Sequence, residues 1–312
     1  MSGFDLRPLT LGELLDRAFL LYRRNFWLFA GIRIIPSCLL VPIRFFMLRS
    51  RGVPLPWNRP SSQQHAIAYA FAFLFVYWLV SAVAETATTI AVADEYLGHH
   101  STIREAYGKM RGRFWRAIGV TLNVYIRTLV LIFFFVLLAV AAGIALVAVM
   151  NQTSASTKLT DALIPIGLAV GGFAFGLLFS ARYTLSLPAL LIEDLTGRTA
   201  IRRSVQLSFG RRGQIFVAIL LGVVVSYAAI ILFQGPFYAY ISVMGIKGHL
   251  PNWLILAMSV SSTAGAAIAT PLLMIVLVLC YYDLRIRKEG FDLQHMMTLL
   301  PETKPADSIS LA

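Results

Sequence analysis

Residues 118–150 read IGVTLNVYIRTLVLIFFFVLLAVAAGIALVAVM, and Arg127 is the one charge in the run. A spanning helix needs roughly 20 apolar residues to cross a bilayer core of ~30 Å. A run this long and apolar belongs in lipid, where the backbone must satisfy its own hydrogen bonds and therefore coils into a helix. That decides the class: an all-α integral membrane protein.

The rest of the chain agrees. Of 312 residues, 58% are hydrophobic and 13% charged, with a mean hydropathy of +0.74. A soluble domain carries about a quarter charged residues, so this chain cannot cover a globular surface in water. Five more apolar runs bring the expectation to six spans, at about 26–47, 66–93, 118–150, 162–192, 213–245 and 253–282. The first is interrupted by Arg33, Pro36, Pro42 and Arg44, which leaves open a broken helix rather than a full crossing. The fifth contains Gly235–Pro236 and the sixth Pro271, so both are expected to tilt or kink. Residues 1–300 read as one polytopic domain and 301–312 as a disordered cytoplasmic tail.

Net charge is +12, from 27 Lys and Arg against 15 Asp and Glu. Nucleic acid is not the expected partner, because the excess lies in loops. Segments 1–25, 94–113, 193–212 and 284–312 hold 17 Lys and Arg, and the alternate segments 48–65, 151–161 and 246–251 hold 5. Positive charge collects on the cytoplasmic side, so both termini are expected there. Asp5, Arg7, Glu13 and Asp16 precede the first span, unlike the basic opening of a cleaved signal peptide. The first span is expected to be retained. Cys38 and Cys280 stand far apart in apolar runs and suggest neither a disulfide framework nor a zinc site.

The basic segments hold amphipathic helices. Leu11, Leu14, Leu15, Ala18, Phe19 and Tyr22 follow helical spacing, with Thr10 and Glu13 spelling a capping box. Ile103, Ala106, Tyr107 and Met110 repeat the pattern behind Thr102 and Glu105, and Ile201, Ser204, Val205 and Ser208 repeat it more weakly. At an offset of 98, Ile103 falls on Ile201, Arg104 on Arg202, Gly112 on Gly210 and Arg113 on Arg211. Leu15, Arg17 and Leu21 fall on Ile201, Arg203 and Leu207. Three parallel repeats are expected, each a surface helix and two spans. Mitochondrial carriers also have three such units, but their Pro-x-Asp/Glu-x-x-Lys/Arg signature is missing from all three here.

Two stretches carry a family resemblance. One is LTLGELLDRAF at 9–19, continuing to YRRNF at 22–26, and the other is YYDLRIRKEGFDL at 281–293. Together they resemble bacterial polytopic proteins grouped with the membrane domain of glycerophosphoryl diester phosphodiesterases, over the chain from the first surface helix to residue 293. The resemblance implies the fold and a location in a bacterial inner membrane. It does not imply the phosphodiesterase activity, which in the fused enzymes resides in a separate soluble barrel, and only 19 residues follow Leu293. Arg285, Arg287 and Lys288, with Arg23 and Arg24, are candidate contacts to anionic lipid head groups at helix ends. Gly290 is placed as a helix C′ residue. Leu293, Met296, Met297 and Leu300 form a further apolar stripe.

Catalytic chemistry is sparse. His65, His99, His100, His249 and His295 lack metal-ligand spacing, and there is no Walker loop, HExxH or G-x-S-x-G. Neither cofactor nor metal is expected. Gly167, Gly171, Gly172 and Gly176 give two overlapping GxxxG spacings, a helix-packing signal. Glu85, Arg127 and Arg182 are the candidate intramembrane polar site, since an ionisable group there is costly unless paired or hydrated. Their distances from the basic loops suggest a common depth, so Glu85 is expected to pair with Arg182 or Arg127. The function expected is a non-enzymatic membrane scaffold or partner subunit, in contact with anionic lipid. The alternative is a transporter or lipid-handling protein that binds an anionic solute or head group between the spans.

Overall fold

The computed structural model describes residues 7–50, 63–150, 167, 170–172, 175–176, 178–245 and 250–290. The stripe after Leu293 and the tail 301–312 lie outside them. The described residues form helices and no strand: α1 (Leu11–Arg24), α2 (Phe26–Ser37), α3 (Leu40–Ser50), α4 (Gln63–Tyr96), α5 (Ile103–Met110), α6 (Phe114–Met150), α7 (Ser186–Ile192), α8 (Gly197–Ser208), α9 (Arg212–Val243) and α10 (Asn252–Glu289).

Four of these are long and apolar enough to cross a membrane: α4, α6, α9 and α10. A fifth crossing exists if α2 and α3 count as one, and these meet at a bend of 49°. The bend has a local cause. Pro36 lies inside α2 and Pro42 inside α3, and neither can donate a backbone hydrogen bond. The chain passes between them through a turn at Cys38 and Leu39, where Leu39 N–H bonds Pro36 O at 3.3 Å.

The fourth expected span differs from its expectation as one continuous helix. Residues 178–180 are helical, 181–185 form turns, and α7 resumes at Ser186. The break satisfies its own polar groups. Tyr183 N–H bonds Ser180 O, Ser186 Oγ donates to Tyr183 O at 2.6 Å, and Thr184 Oγ1 donates to Ala181 O at 2.8 Å. Ser204 of α8 donates to Arg182 O at 2.7 Å.

The three short amphipathic helices form as the spacing predicts. Thr10 and Glu13 close a full capping box on α1, and Thr102 and Glu105 close one on α5; such a cap is worth ~1 kcal/mol. Each turns its apolar face to the bundle: Leu14, Ala18 and Leu21 on α1, Ala106 and Met110 on α5, Ala200, Ile201 and Leu207 on α8. Tyr22 and Tyr107 donate across it, to Ile268 O and Ile32 O, each at 2.6 Å.

Helix α10 is the hub. It packs along α9 and also touches α1, α2, α3, α4, α7 and α8. Its last turns carry Tyr281, Tyr282 and Leu284 into the densest core, with Leu9, Leu14, Tyr96, Leu190 and Leu207. The Tyr96 and Tyr282 rings lie 5.1 Å apart. Burial is strongly asymmetric: the end holding α1, α5, α7 and α8 is packed, whereas few α6 residues between 114 and 141 are buried.

Candidate functional site

The intramembrane charges fall into two clusters rather than one. Arg127 and Arg182 converge on Tyr183, with guanidinium carbons 5.3 Å and 4.5 Å from its ring centroid. Arg182 also stacks on Phe179 at 3.4 Å and donates to the Tyr183 hydroxyl. Such stacking offsets part of the cost of a desolvated cation. Its location in the 181–185 break allows this, because the turn directs two consecutive residues, Arg182 and Tyr183, against each other.

Glu85 is elsewhere. Among the described residues no ion pair joins it to Arg127 or Arg182, which corrects the expected pairing. The positive charge acting on it is Arg33 of α2. Arg33 is 6% exposed and donates to Ser81 of α4, to its carbonyl at 3.4 Å and its hydroxyl at 3.3 Å. Tyr125 of α6 lies within electrostatic reach of the same group. In the sequence Arg33 interrupts the first apolar run. Its position seven residues into that span was the available signal, since it gives a depth comparable to Glu85.

At the packed end, the C-terminal motif is a clasp. Asp283 accepts the Leu9 N–H at 2.8 Å and Arg287 Nε at 2.9 and 3.0 Å, while Arg287 also donates to Leu9 O. The carboxylate and guanidinium thus close both backbone groups of one residue just ahead of α1. Arg203 of α8 grips Glu193 through Nε at 2.9 and 3.1 Å and reaches Glu289 at 2.7 Å. Tyr281 donates to Glu193, and Arg285 lies 3.4 Å from both carboxylates. Burial pushes the Glu193 carboxyl up, but the hydrogen bonds from Arg203 and Tyr281 outweigh it and hold it below the usual carboxylate range. Lys288 bonds Gln206 O and Phe209 O at 3.0 and 2.7 Å, neutralising the C-terminal end of α8. Gly290 ends α10 at φ 61°, the left-handed C′ geometry expected of it.

Arg285, Arg287 and Lys288 are therefore placed on protein acceptors rather than held out toward lipid phosphates. Arg23 and Arg24, in the last turn of α1, are exposed. The acids that organise the clasp, Asp283 and Glu193, were missed. For Asp283 the signal was its i, i+4 spacing to Arg287.

Beside the clasp lies a cleft of about 570 Å³ between α4, α5, α6 and α7. Ile90, Leu97, Leu191 and Ile192 make an apolar wall, and Lys109, Arg113 and Arg116 bring cations to it. Asp94 pairs with Lys109 at 2.7 Å. Asp194 pairs with Arg113 at 3.1 Å and Arg116 at 3.0 Å, both through the same oxygen. Among the described residues no group of three or more His, Cys, Asp or Glu could hold a metal ion. Comparison with protein-family models, curated proteins and solved structures finds no match.

Proposed function

We propose that the chain is a non-enzymatic scaffold or partner subunit of a bacterial inner membrane, docking a protein partner on its cytoplasmic cap. The observation that carries this reading is the clasp. Glu289 on Arg203 and Lys288 on the end of α8 tie α10 to α8, and Asp283 with Arg287 holds Leu9 ahead of α1, so α1 and α8 are held against one fixed post. A docking face needs its residues fixed in this way by their surroundings. Six spans with both termini cytoplasmic follow from the loop charges. The three-repeat reading gains support from helix ends: Met110 and Ser208 close α5 and α8, and Phe114 and Arg212 open α6 and α9, each pair at the offset of 98. Kinship with the phosphodiesterase membrane domains rests on the two end motifs.

The test is a photo-crosslinking amino acid at Asp16, Arg104 or Arg202, exposed positions of α1, α5 and α8, in growing cells. A discrete protein adduct from at least one position is expected. Adducts to lipid alone at all three would overturn the scaffold.

A second reading, an anionic solute or head group bound between the spans, has its own observation. The Nε atoms of Arg33 and Arg182 are buried without a hydrogen-bond partner among the described residues. Uptake of labelled phosphate into proteoliposomes, abolished by Arg182→Ala at near-normal thermal stability, is its test.

A further inference from the structure

The cleft beside the clasp has the chemistry of an anion site that the clasp does not use. Arg113 and Arg116 stand one helical turn apart at the start of α6, and Lys109 faces the same space from α5. Only one carboxylate oxygen, from Asp194, lies between the two guanidinium groups. Asp194 is half exposed and is the one non-glycine residue at positive φ (51°) among the described residues. It is thus an internal counter-anion on an exposed rim, reached at some backbone cost. A phosphate dianion offers three oxygens where Asp194 offers one, and Arg is the side chain best suited to take them.

The other wall explains what accompanies the phosphate. Ile90, Leu97 and Leu191 line the cleft with apolar surface. Trp115, between Arg113 and Arg116 in sequence, is 80% exposed, as an indole at the boundary between hydrocarbon and head groups would be. The cleft is therefore at head-group height, with cations on one side and an apolar track on the other.

We propose that this cleft binds a phosphate monoester anion, with Arg116 and Arg113 as its ligands, Asp194 as the group it displaces and Lys109, which keeps its pair with Asp94, as a flanking charge; a phosphatidic-acid head group is the form that fits both walls. The site does not depend on whether the cap docks a protein.

The experiment uses the full chain in detergent, titrated with short-chain phosphatidic acid, short-chain phosphatidylcholine and inorganic phosphate, and read by native mass spectrometry. Saturable binding of phosphatidic acid over phosphatidylcholine is expected. Arg116→Ala, whose ion pair is with half-exposed Asp194, should weaken it about tenfold, the equivalent of one charge-assisted contact. Asp194→Gly removes the competing anion, suits the positive φ, and should tighten binding. Inorganic phosphate that binds as tightly as the lipid assigns the site to the phosphate alone, and weaker binding assigns it to the lipid; either supports the site. Binding unaltered in Arg116→Ala, binding weakened in Asp194→Gly, or no discrimination against phosphatidylcholine overturns it. Melting temperatures of both variants near that of the parent exclude misfolding as the cause.

Discussion

Asp283 is 2% exposed in the last turns of α10, and its carboxylate meets two donors, the Leu9 N–H and Arg287 Nε. Removing it strands the Leu9 N–H and leaves the Arg287 guanidinium with the Leu9 carbonyl alone. Breaking one partner of a buried pair typically costs ~3–5 kcal/mol, and this pair also anchors the entry to α1. Asp283→Ala should therefore lower the detergent melting temperature far more than Arg7→Ala, whose ion pair with Glu13 is exposed and worth at most ~1 kcal/mol. Equal losses from the two changes would remove the clasp as a stabilising element. At this scale sequence reading found the charged residues but not their partners. Arg285, Arg287 and Lys288 look the same in sequence whether they meet lipid or protein. The acids that decide between those readings come from 90 residues upstream, as Glu193 does, or bind a backbone amide, as Asp283 does.

Helix existence was legible because length and hydropathy report it directly, and α5 matches its expected bounds. Breaks were legible only where their cause is local. Pro36 and Pro42 announce the bend between α2 and α3, whereas the 181–185 break depends in part on Ser204 reaching Arg182 O from another helix. Close packing was partly legible. In the fourth apolar run a Cβ at Gly172 would meet Phe135 at 2.7 Å, while Gly167 and Gly171 meet nothing. The contact of α9 with α10 uses solitary glycines instead: a Cβ at Gly222 would lie 2.6 Å from Leu273 Cδ1, and one at Gly265 3.1 Å from Phe233. No GxxxG marks these, although Ala218–Gly222–Ser226 and Ser261–Gly265–Ala269 place small residues at the same spacing. Gly222→Val should force the two helices apart and cost ~1–3 kcal/mol. Gly235→Ala in the same helix, where a Cβ meets nothing, should be neutral or slightly stabilising. Thermal melts of the two variants decide it, and a tolerated Gly222→Val would mean that the helix pair is looser than its geometry.

For the whole molecule, packing and charge point the same way. The end where α1, α5, α7 and α8 gather is packed, and its segments carry most of the Lys and Arg. Trp27, Trp115 and Phe209, all largely exposed, stand at the starts of α2, α6 and α9, while Tyr238 is exposed near the far end of α9. From Arg212, where α9 begins just after Phe209, to Tyr238 the helix rises ~39 Å, close to the ~40–45 Å of a bilayer with its head groups. Two aromatic belts at that separation would seat the molecule with the packed end at one face. The charge distribution then selects which face. Positive loops stay in the cytoplasm, so Cys introduced at Arg104 should react with a membrane-impermeant maleimide only after permeabilisation, and Cys at Ser154 should react in intact cells. Cys38 and Cys280 must be replaced first, since Cys38 is exposed. The reverse pattern would put the basic cap outside the cell. Both positions on one side would instead mean that the chain between α5 and residue 154 does not cross, and α6, the most apolar and least buried of the early helices, would need a different account.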